Sequence, residues 1–388
     1  SQMQVENEKS ANPQATQNTP ESQELGQGSP AAPDSTEGTS QPQPEGQGSS
    51  VLPDSSQKPQ QSGQPSQNNS FAPDSSQGPA QSGQPSQNNS AVFKHTLNTP
   101  ESTENNPENA EEMLQKQIQA KISSMTLEEK AAQLFIITPE ALTGRSSVTQ
   151  AGEATQNAIS QYPVGGLIFF EGNIQSQQQV TEMLKKQQEY SKARIGLPLF
   201  LSIDEEGGQV VRLAKSPGIQ VETFPDIAEL GASGDANKAY QLGDALGEYL
   251  SAMGFNLDFA PVADTLTNPS NTVVKRRSYG NSPQLVSEMV KSNLEGLQSH
   301  QVYGCIKHFP GHGATEGDTH QGYAYTDKSW EELKNSDIIP FQDSIAWGVE
   351  FIMVGHISLP GITGNETPAS LSPYVISHLL RKELGYNG

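Results

Sequence analysis

The sequence predicts an α/β fold, specifically a (β/α)8 barrel of the TIM type. Short apolar runs alternate with longer amphipathic stretches, a pattern typical of a parallel sheet covered by helices on both faces. Polar and charged residues follow nearly every run, which is where such a barrel builds its site. An open doubly wound sheet fits the same alternation, but Gly207 and Gly208 lack the spacing of a dinucleotide-binding glycine loop.

The predicted ordered part begins near Met113. The stretch EEMLQKQIQAKISSM has helical spacing, and Thr126 with Glu129 forms a capping box before the next apolar run. The predicted strands are LFIIT, GGLIFF, PLFLSID, NLDFAPVAD, VYGCIKHF and EFIMVGHISL. The predicted helices are IQSQQQVTEMLKKQQEYSKA, DANKAYQLGDALGEYLSAMG, SPQLVSEMVKSNLEGLQSH and SPYVISHLLRKELGY. Because a closed barrel needs eight strands, we expect a barrel truncated after about six, with exposed sheet edges.

Residues 1–110 are predicted to be a disordered, low-complexity linker, and residues 111–388 the barrel. Gln, Ser, Pro, Asn and Gly dominate the linker, so folding would not recover its conformational entropy. VLPDSSQKPQQSGQPSQNNS is followed at once by FAPDSSQGPAQSGQPSQNNS, a repeat without an apolar stripe to stack. Such a spacer suits a secreted or surface-attached protein, so we expect an extracytoplasmic location, with membrane contact only through an N-terminal lipid anchor.

The net charge is −21, which argues against nucleic acid or an anionic membrane surface as a partner. Cys305 is the single cysteine, so an internal disulfide is excluded, and it lies in an apolar run typical of a core. We expect a monomer.

Two charged segments follow predicted strands. SIDEEGGQVVRL ends a strand with three carboxylates, and its glycine turn could bring Asp204 and Arg212 together over a bound sugar. NTVVKRRSYG carries three consecutive cations, of which Arg277 is the candidate binding residue. The alternative interpretation of both segments is a solvated loop.

The segment KHFPGHGATEGDTH is the most specific motif. Lys307 and His308 close a strand, and the Pro-Gly turn that follows prevents a helix. His308 and His312 therefore do not share a helical face as zinc ligands would, and we expect no metal and no cofactor. Asp318 and His320 lie two residues apart, and a carboxylate beside an imidazole can orient it for proton transfer.

Together these motifs resemble the family-3 glycoside hydrolases, within them the β-N-acetylglucosaminidases that trim peptidoglycan fragments. The resemblance runs from about Thr126 to the end through TLEEKAAQLF, SIDEEGGQVVRL, LDFAPVADTLTNP, RRSYG, KHFPGHG and GDTH, in the family's order. It implies a carbohydrate substrate and hydrolysis of terminal β-linked N-acetylglucosamine by a retaining double displacement.

The resemblance also implies residue roles. Asp204 and Arg212 would bind the N-acetylglucosamine unit, and Arg277, Lys307 and His308 would contact the same sugar. His320 would be the catalytic acid/base, oriented by Asp318.

The family's nucleophile is an aspartate in a later strand, so we expect it just beyond Gly388 and expect this chain alone not to complete turnover. A family-3 β-glucosidase and a non-catalytic glycan-binding protein are the alternatives.

Overall fold

The computed structural model describes residues 107–316 and 324–388. Most of the predicted linker, residues 1–106, lies outside the described residues, and so do Asp318 and His320. The division at residue 110 therefore stays a prediction.

The main sheet has six parallel strands and curls into a half-barrel, as a truncated TIM barrel should. Its order is β1-β2-β3-β4-β5-β7, so each strand pairs with the next one supplied by the chain, apart from a short separate pair, β6 with β8. The strands are β1 (Ile136–Ile137), β2 (Gly166–Phe169), β3 (Phe200–Ile203), β4 (Leu257–Asp258), β5 (Tyr303–Phe309), β6 (Ala324–Tyr325), β7 (Phe351–Val354) and β8 (Ile357–Ser358). This confirms the predicted fold class.

Helices connect these strands, and the predicted ones are confirmed. The α-helices are α1 (Pro107–Ser124), α2 (Leu127–Ala132), α3 (Pro139–Thr143), α4 (Glu153–Gln161), α5 (Gln177–Ile195), α6 (Ile227–Ala232), α7 (Ala236–Met253), α8 (Pro283–Ser299), α9 (Trp330–Lys334), α10 (Ile339–Trp347) and α11 (Pro360–Thr363). The last predicted helix is a π-helical segment, Tyr374–Glu383. Short 3-10 turns lie at Glu171–Asn173, His312–Ala314 and Ala369–Leu371.

Local chemistry sets where α2 begins. The Thr126 hydroxyl accepts the N–H of Glu129, and the Glu129 carboxylate accepts the N–H of Thr126. This reciprocal pair satisfies two of the amides that a helix start leaves without partners. The predicted capping box is confirmed.

Most predicted strands are longer than the observed ones, as in NLDFAPVAD, where only Leu257–Asp258 form a strand. Two further cases show why. In LFIIT, Leu134 and Phe135 form a turn after α2 and are 86% and 56% exposed, which leaves two residues to pair. EFIMVGHISL is not one strand, because the chain turns at Gly355 and its second half pairs with β6 instead of β5. Long-range pairing, which hydrophobicity does not encode, decides both cases.

The core lies between the sheet and the helices. The long helices α7 and α8 pack against each other, and α8 also packs on β5, where Leu294 lies against Gly304. In residues 107–316 and 324–388, no helix has the length and apolarity needed to cross a membrane.

Candidate functional site

The predicted sugar-binding residues meet at the carboxyl edge of the half-barrel. Asp204 follows β3 directly, and Lys307 and His308 lie near the end of β5. Arg212 and Arg277 arrive on the loops after β3 and β4. The strand ends of a parallel sheet converge at this edge, which explains why residues far apart in sequence become neighbours.

Lys307 is the centre of this cluster. Its side chain is only 2% exposed, and its ammonium nitrogen lies 2.9 Å from Asp204 Oδ1 and 2.6 Å from Glu206 Oε1. Burial would lower the pKa of Lys307, but the charges of Glu206 and Asp204 outweigh it and raise the pKa. The amine is therefore a charged hydrogen-bond donor held in a nearly dry site.

Glu206 joins Lys307 to Arg277. The Arg277 guanidinium donates two hydrogen bonds to the Glu206 carboxylate, with distances of 2.8 and 2.7 Å. Burial would raise the pKa of Glu206, but Lys307 and Arg277 overcome that effect and lower the pKa to about 2. Glu206 thus remains ionised and fixes both cations.

Sequence reasoning missed Glu206, although a signal was present. Side chains alternate along an extended chain, which would place Asp204 and Glu206 on one side of SIDEEGG and Glu205 on the other. The structure follows that alternation, because Asp204 and Glu206 both contact Lys307.

Arg212 is brought back to Asp204 as predicted. One guanidinium nitrogen, Nη2, lies 3.6 Å from Asp204 Oδ2, and the guanidinium carbon lies 5.7 Å from the centre of the Phe170 ring. Arg212 is 24% exposed at its side chain, so it remains accessible from the edge of the sheet.

Glu205 shapes the loop that delivers Arg212. Its fully buried carboxylate accepts the backbone N–H groups of Arg212, Leu213 and Ala214, and the hydroxyl of Tyr249 at 3.0 Å. A carboxylate that accepts several N–H groups holds a loop in one conformation. The sequence did not reveal this supporting role.

Asp264 organises the His308 side of the site. Its Oδ2 lies 2.7 Å from His308 Nδ1, and its Oδ1 accepts the N–H groups of His308 and His312 at 3.0 and 2.6 Å. Burial would raise the pKa of Asp264, but the charge and hydrogen bond of His308 lower it. Burial lowers the pKa of His308 despite the opposing charge of Asp264.

The Pro-Gly turn after β5 needs its glycines. Gly311 has φ of +126°, a conformation that side chains disfavour. A Cβ on Gly313 would lie 1.9 Å from the Thr265 carbonyl oxygen, so only glycine fits there. The turn consequently packs against the loop that carries Asp264.

The two arginines of KRR have different roles. Arg277 points into the site, whereas Arg276 forms an exposed ion pair with Asp226. The prediction that singled out Arg277 fits this geometry.

The assembled site offers charged hydrogen-bonding groups to a polar ligand. Asp204, Lys307 and the two arginines each have an ion-pair partner within the protein, and together they can accept hydrogen bonds from a molecule with several hydroxyl groups and donate to it. In residues 107–316 and 324–388, no group of three or more His, Cys, Asp or Glu side chains is arranged to hold a metal ion.

Residues 126–388 match the model of the glycosyl hydrolase family 3 N terminal domain. The chain is 32% identical over 262 residues to beta-hexosaminidase A of Pseudoalteromonas piscicida, covering 63% of this chain and 43% of that protein. It is 34% identical over 258 residues to beta-hexosaminidase LpqI of Mycobacterium tuberculosis, covering 66% of this chain and 61% of that protein. The chain thus spans about half the length of these relatives.

Two solved structures share the fold. A family 3 beta-N-acetylglucosaminidase from Paenibacillus sp. str. FPU-7 superposes with a TM-score of 0.63 at 35% identity, over 68% of this chain and 48% of that one. NagZ from Neisseria gonorrhoeae, in complex with N-trifluoroacetyl-D-glucosamine, superposes with a TM-score of 0.58 at 26% identity, over 65% of this chain and 72% of that one. The family model spans most of the chain, and these structures share its parallel half-barrel. The chain therefore belongs to glycosyl hydrolase family 3.

Proposed function

We propose that this chain belongs to a β-N-acetylglucosaminidase that removes terminal β-linked N-acetylglucosamine from glycans such as peptidoglycan fragments. The observation that carries the proposal is the buried Asp204–Lys307–Glu206–Arg277 network at the carboxyl edge of a family 3 domain. The names of the relatives and the GDTH element support the same activity.

The binding roles follow from chemistry at each position. Asp204 accepts hydrogen bonds from sugar hydroxyls, while Lys307 and Arg277 donate them. Charged partners strengthen such bonds roughly twofold over neutral ones. Arg212 and His308 complete the contacts from either side of this centre.

Proton transfer is assigned to His320, with Asp318 as its orienting partner. Both lie outside the described residues, but the flanks of their segment do not. The N–H of Glu316 donates to the Tyr325 carbonyl at 3.0 Å, and the N–H of Tyr325 donates to the Glu316 carbonyl at 3.2 Å. The Thr315 hydroxyl oxygen forms a hydrogen bond with Nδ1 of His312 at 2.8 Å, so the residues before the segment are held close to the site.

In the proposed double displacement, His320 protonates the glycosidic oxygen and later removes a proton from the attacking water. Asp318 accepts the other N–H of that imidazole and stabilises its protonated form. A carboxylate nucleophile completes such a reaction, and that role is assigned to none of the residues described above.

The experiment is hydrolysis of 4-nitrophenyl N-acetyl-β-glucosaminide and 4-nitrophenyl β-glucoside by the protein expressed from its complete gene. We expect cleavage of the N-acetylglucosaminide in preference to the glucoside, and a loss of about 10²-fold or more in His320→Ala. Preference for the glucoside would support a β-glucosidase instead. Binding of N-acetylglucosamine without cleavage of either compound would support a glycan-binding protein.

We also propose an extracytoplasmic monomer, with a lipid anchor as the only membrane attachment. The repetitive, polar composition of residues 1–110 supports a spacer that separates a catalytic domain from a surface. Mass spectrometry of the native N-terminus tests the anchor, and light scattering of the purified protein tests the monomer. An unprocessed Met or a dimer would contradict the respective part.

A further inference from the structure

Phe170 is an exposed aromatic residue beside the proposed sugar site. It directly follows β2, and the pairing of Phe169 with Ile203 places Phe170 next to Asp204 in the parallel register. Phe169 is buried and packs edge-on against Phe255, with ring centres 5.8 Å apart. Because side chains alternate, Phe170 points to the other side, where it is 41% exposed.

The backbone that presents this ring is fixed. The N–H of Phe170 donates to Asn173 Oδ1 at 2.9 Å. Asn173 is itself only 3% exposed, and its Nδ2 donates to Glu140 Oε1 at 2.7 Å and to the Val148 carbonyl at 2.9 Å. The exposed ring is therefore held on an ordered framework, which lowers the entropy cost of using it for binding.

The Phe170 ring also lies close to two of the proposed binding residues. The Arg212 guanidinium carbon lies 5.7 Å from the ring centre, and the same guanidinium lies 3.6 Å from Asp204. The contact with Arg212 is a weak cation–π interaction at an accessible position. Despite this contact, the Phe170 ring remains 41% exposed. A ligand that removed this apolar surface from water would gain free energy of binding.

A pyranose matches this combination of groups. Its hydroxyls form a polar rim, and the C–H groups form apolar patches on its faces. Asp204, Arg212 and Lys307 can form hydrogen bonds with the hydroxyls of the rim, while an aromatic ring can pack against a C–H face. Binding pockets commonly combine apolar or aromatic walls with a few fixed polar groups in this way.

We propose that the Phe170 ring packs against the apolar C–H face of the N-acetylglucosamine unit that Asp204 and Arg212 hold. This proposal rests on the proposed function, because it names a further contact in the same subsite. It predicts that Phe170 contributes to affinity through direct contact, and not merely by supporting Arg212.

The test measures, on the protein expressed from its complete gene, the affinity for N-acetylglucosamine by calorimetry and the fluorescence emission of a Phe170→Trp variant. Burial of a phenyl face predicts that Phe170→Ala weakens affinity by about tenfold or more. The indole introduced by Phe170→Trp should change its emission on addition of the sugar, beyond any change in a wild type that contains Trp330 and Trp347. The matched control is Tyr162→Ala, which removes a 54% exposed aromatic residue ahead of the amino end of the same strand.

The outcomes separate the two proposals. A wild type that does not bind N-acetylglucosamine contradicts the proposed function and removes the basis of this one. Binding by the wild type with unchanged affinity in Phe170→Ala overturns only the Phe170 contact. Reduced affinity in Phe170→Ala together with an unresponsive Phe170→Trp also overturns it, since the ring would then act only through Arg212.

Discussion

The carboxylate of Asp264 lies 2.7 Å from Nδ1 of His308. An ionised carboxylate can only accept a hydrogen bond, so Nδ1 of His308 carries the proton and Nε2 is left as the acceptor in the neutral ring. Asp264 is fully buried and also accepts the backbone N–H groups of His308 and His312. A single aspartate thus sets both the chain path and the tautomer at the end of β5.

Asp264→Asn should change the tautomer and the titration of His308. Burial already lowers the pKa of His308, and Asp264 opposes that effect, so loss of the carboxylate should lower this pKa further. Nitrogen-15 NMR of the imidazole measures both properties. An unchanged tautomer and an unchanged or higher pKa would contradict the assigned role of Asp264.

Glu206→Gln should destabilise the fold, since it leaves the buried Lys307 and the partly buried Arg277 without their shared charge. The folded pKa of about 2 lies below the ordinary value of 4.5, so Glu206 stabilises the folded state above pH 4.5. This shift corresponds to about 3 kcal/mol at neutral pH, and the difference from the wild type should vanish as pH falls from 4.5 toward 2. Urea unfolding at several pH values measures this difference in the free energy of unfolding.

The control for that variant is Glu248→Gln, which changes an exposed carboxylate on α7. It should alter the free energy of unfolding by less than about 0.5 kcal/mol. Equal effects of the two substitutions would show that the Glu206 network does not stabilise the fold.

Asp258→Asn should stabilise the protein relative to the wild type as pH rises. Burial raises the pKa of Asp258 well above 3.8, and no described residue donates to its Oδ2. A raised pKa favours the folded state below pH 3.8, and that advantage is lost as pH increases toward the folded pKa.

The asparagine can still accept the Glu205 N–H through its oxygen, and it has no charge to bury. Thermal unfolding between pH 4 and pH 8 tests this expectation, with the exposed Asp327→Asn as the control. A wild type that gains stability over Asp258→Asn with rising pH would refute it.

Tyr249→Phe should loosen the loop that carries Arg212. The variant removes one hydrogen bond to the buried Glu205 carboxylate, which costs about 1–3 kcal/mol. Amide hydrogen exchange of Arg212, Leu213 and Ala214, whose N–H groups bond to Glu205, should become faster. Protection that stays at the wild-type level would show that Tyr249 does not support this loop.

The sequence predicted the helices, the parallel sheet and the residues at the strand ends because each has a local signal. Helical spacing, capping residues and charged residues after apolar runs can be read within about a dozen positions. Asp204 and Lys307 were recognised in this way. Lys307 Nζ lies 2.9 Å from Asp204 Oδ1, although 103 positions separate the two residues.

The supporting roles escaped prediction because they depend on partners distant in sequence. Glu205 bonds to Tyr249, which lies 44 positions away, and Asp264 bonds to His308 across the same separation. Phe170 looked like one more apolar strand residue, and only the register with β3 reveals its position beside Asp204. Composition alone does not encode such long-range pairing.

The affinity of the chain for N-acetylglucosamine in the wild type and in Asp204→Asn tests the central claim most directly. Asp204 is bonded to Lys307 and adjacent to Arg212, and its substitution keeps the side-chain shape while removing the charged acceptor. We predict that the wild type binds N-acetylglucosamine more tightly than glucose, and that Asp204→Asn weakens the binding by about tenfold or more. Equal affinity in the wild type and the variant would contradict a sugar site built on Asp204.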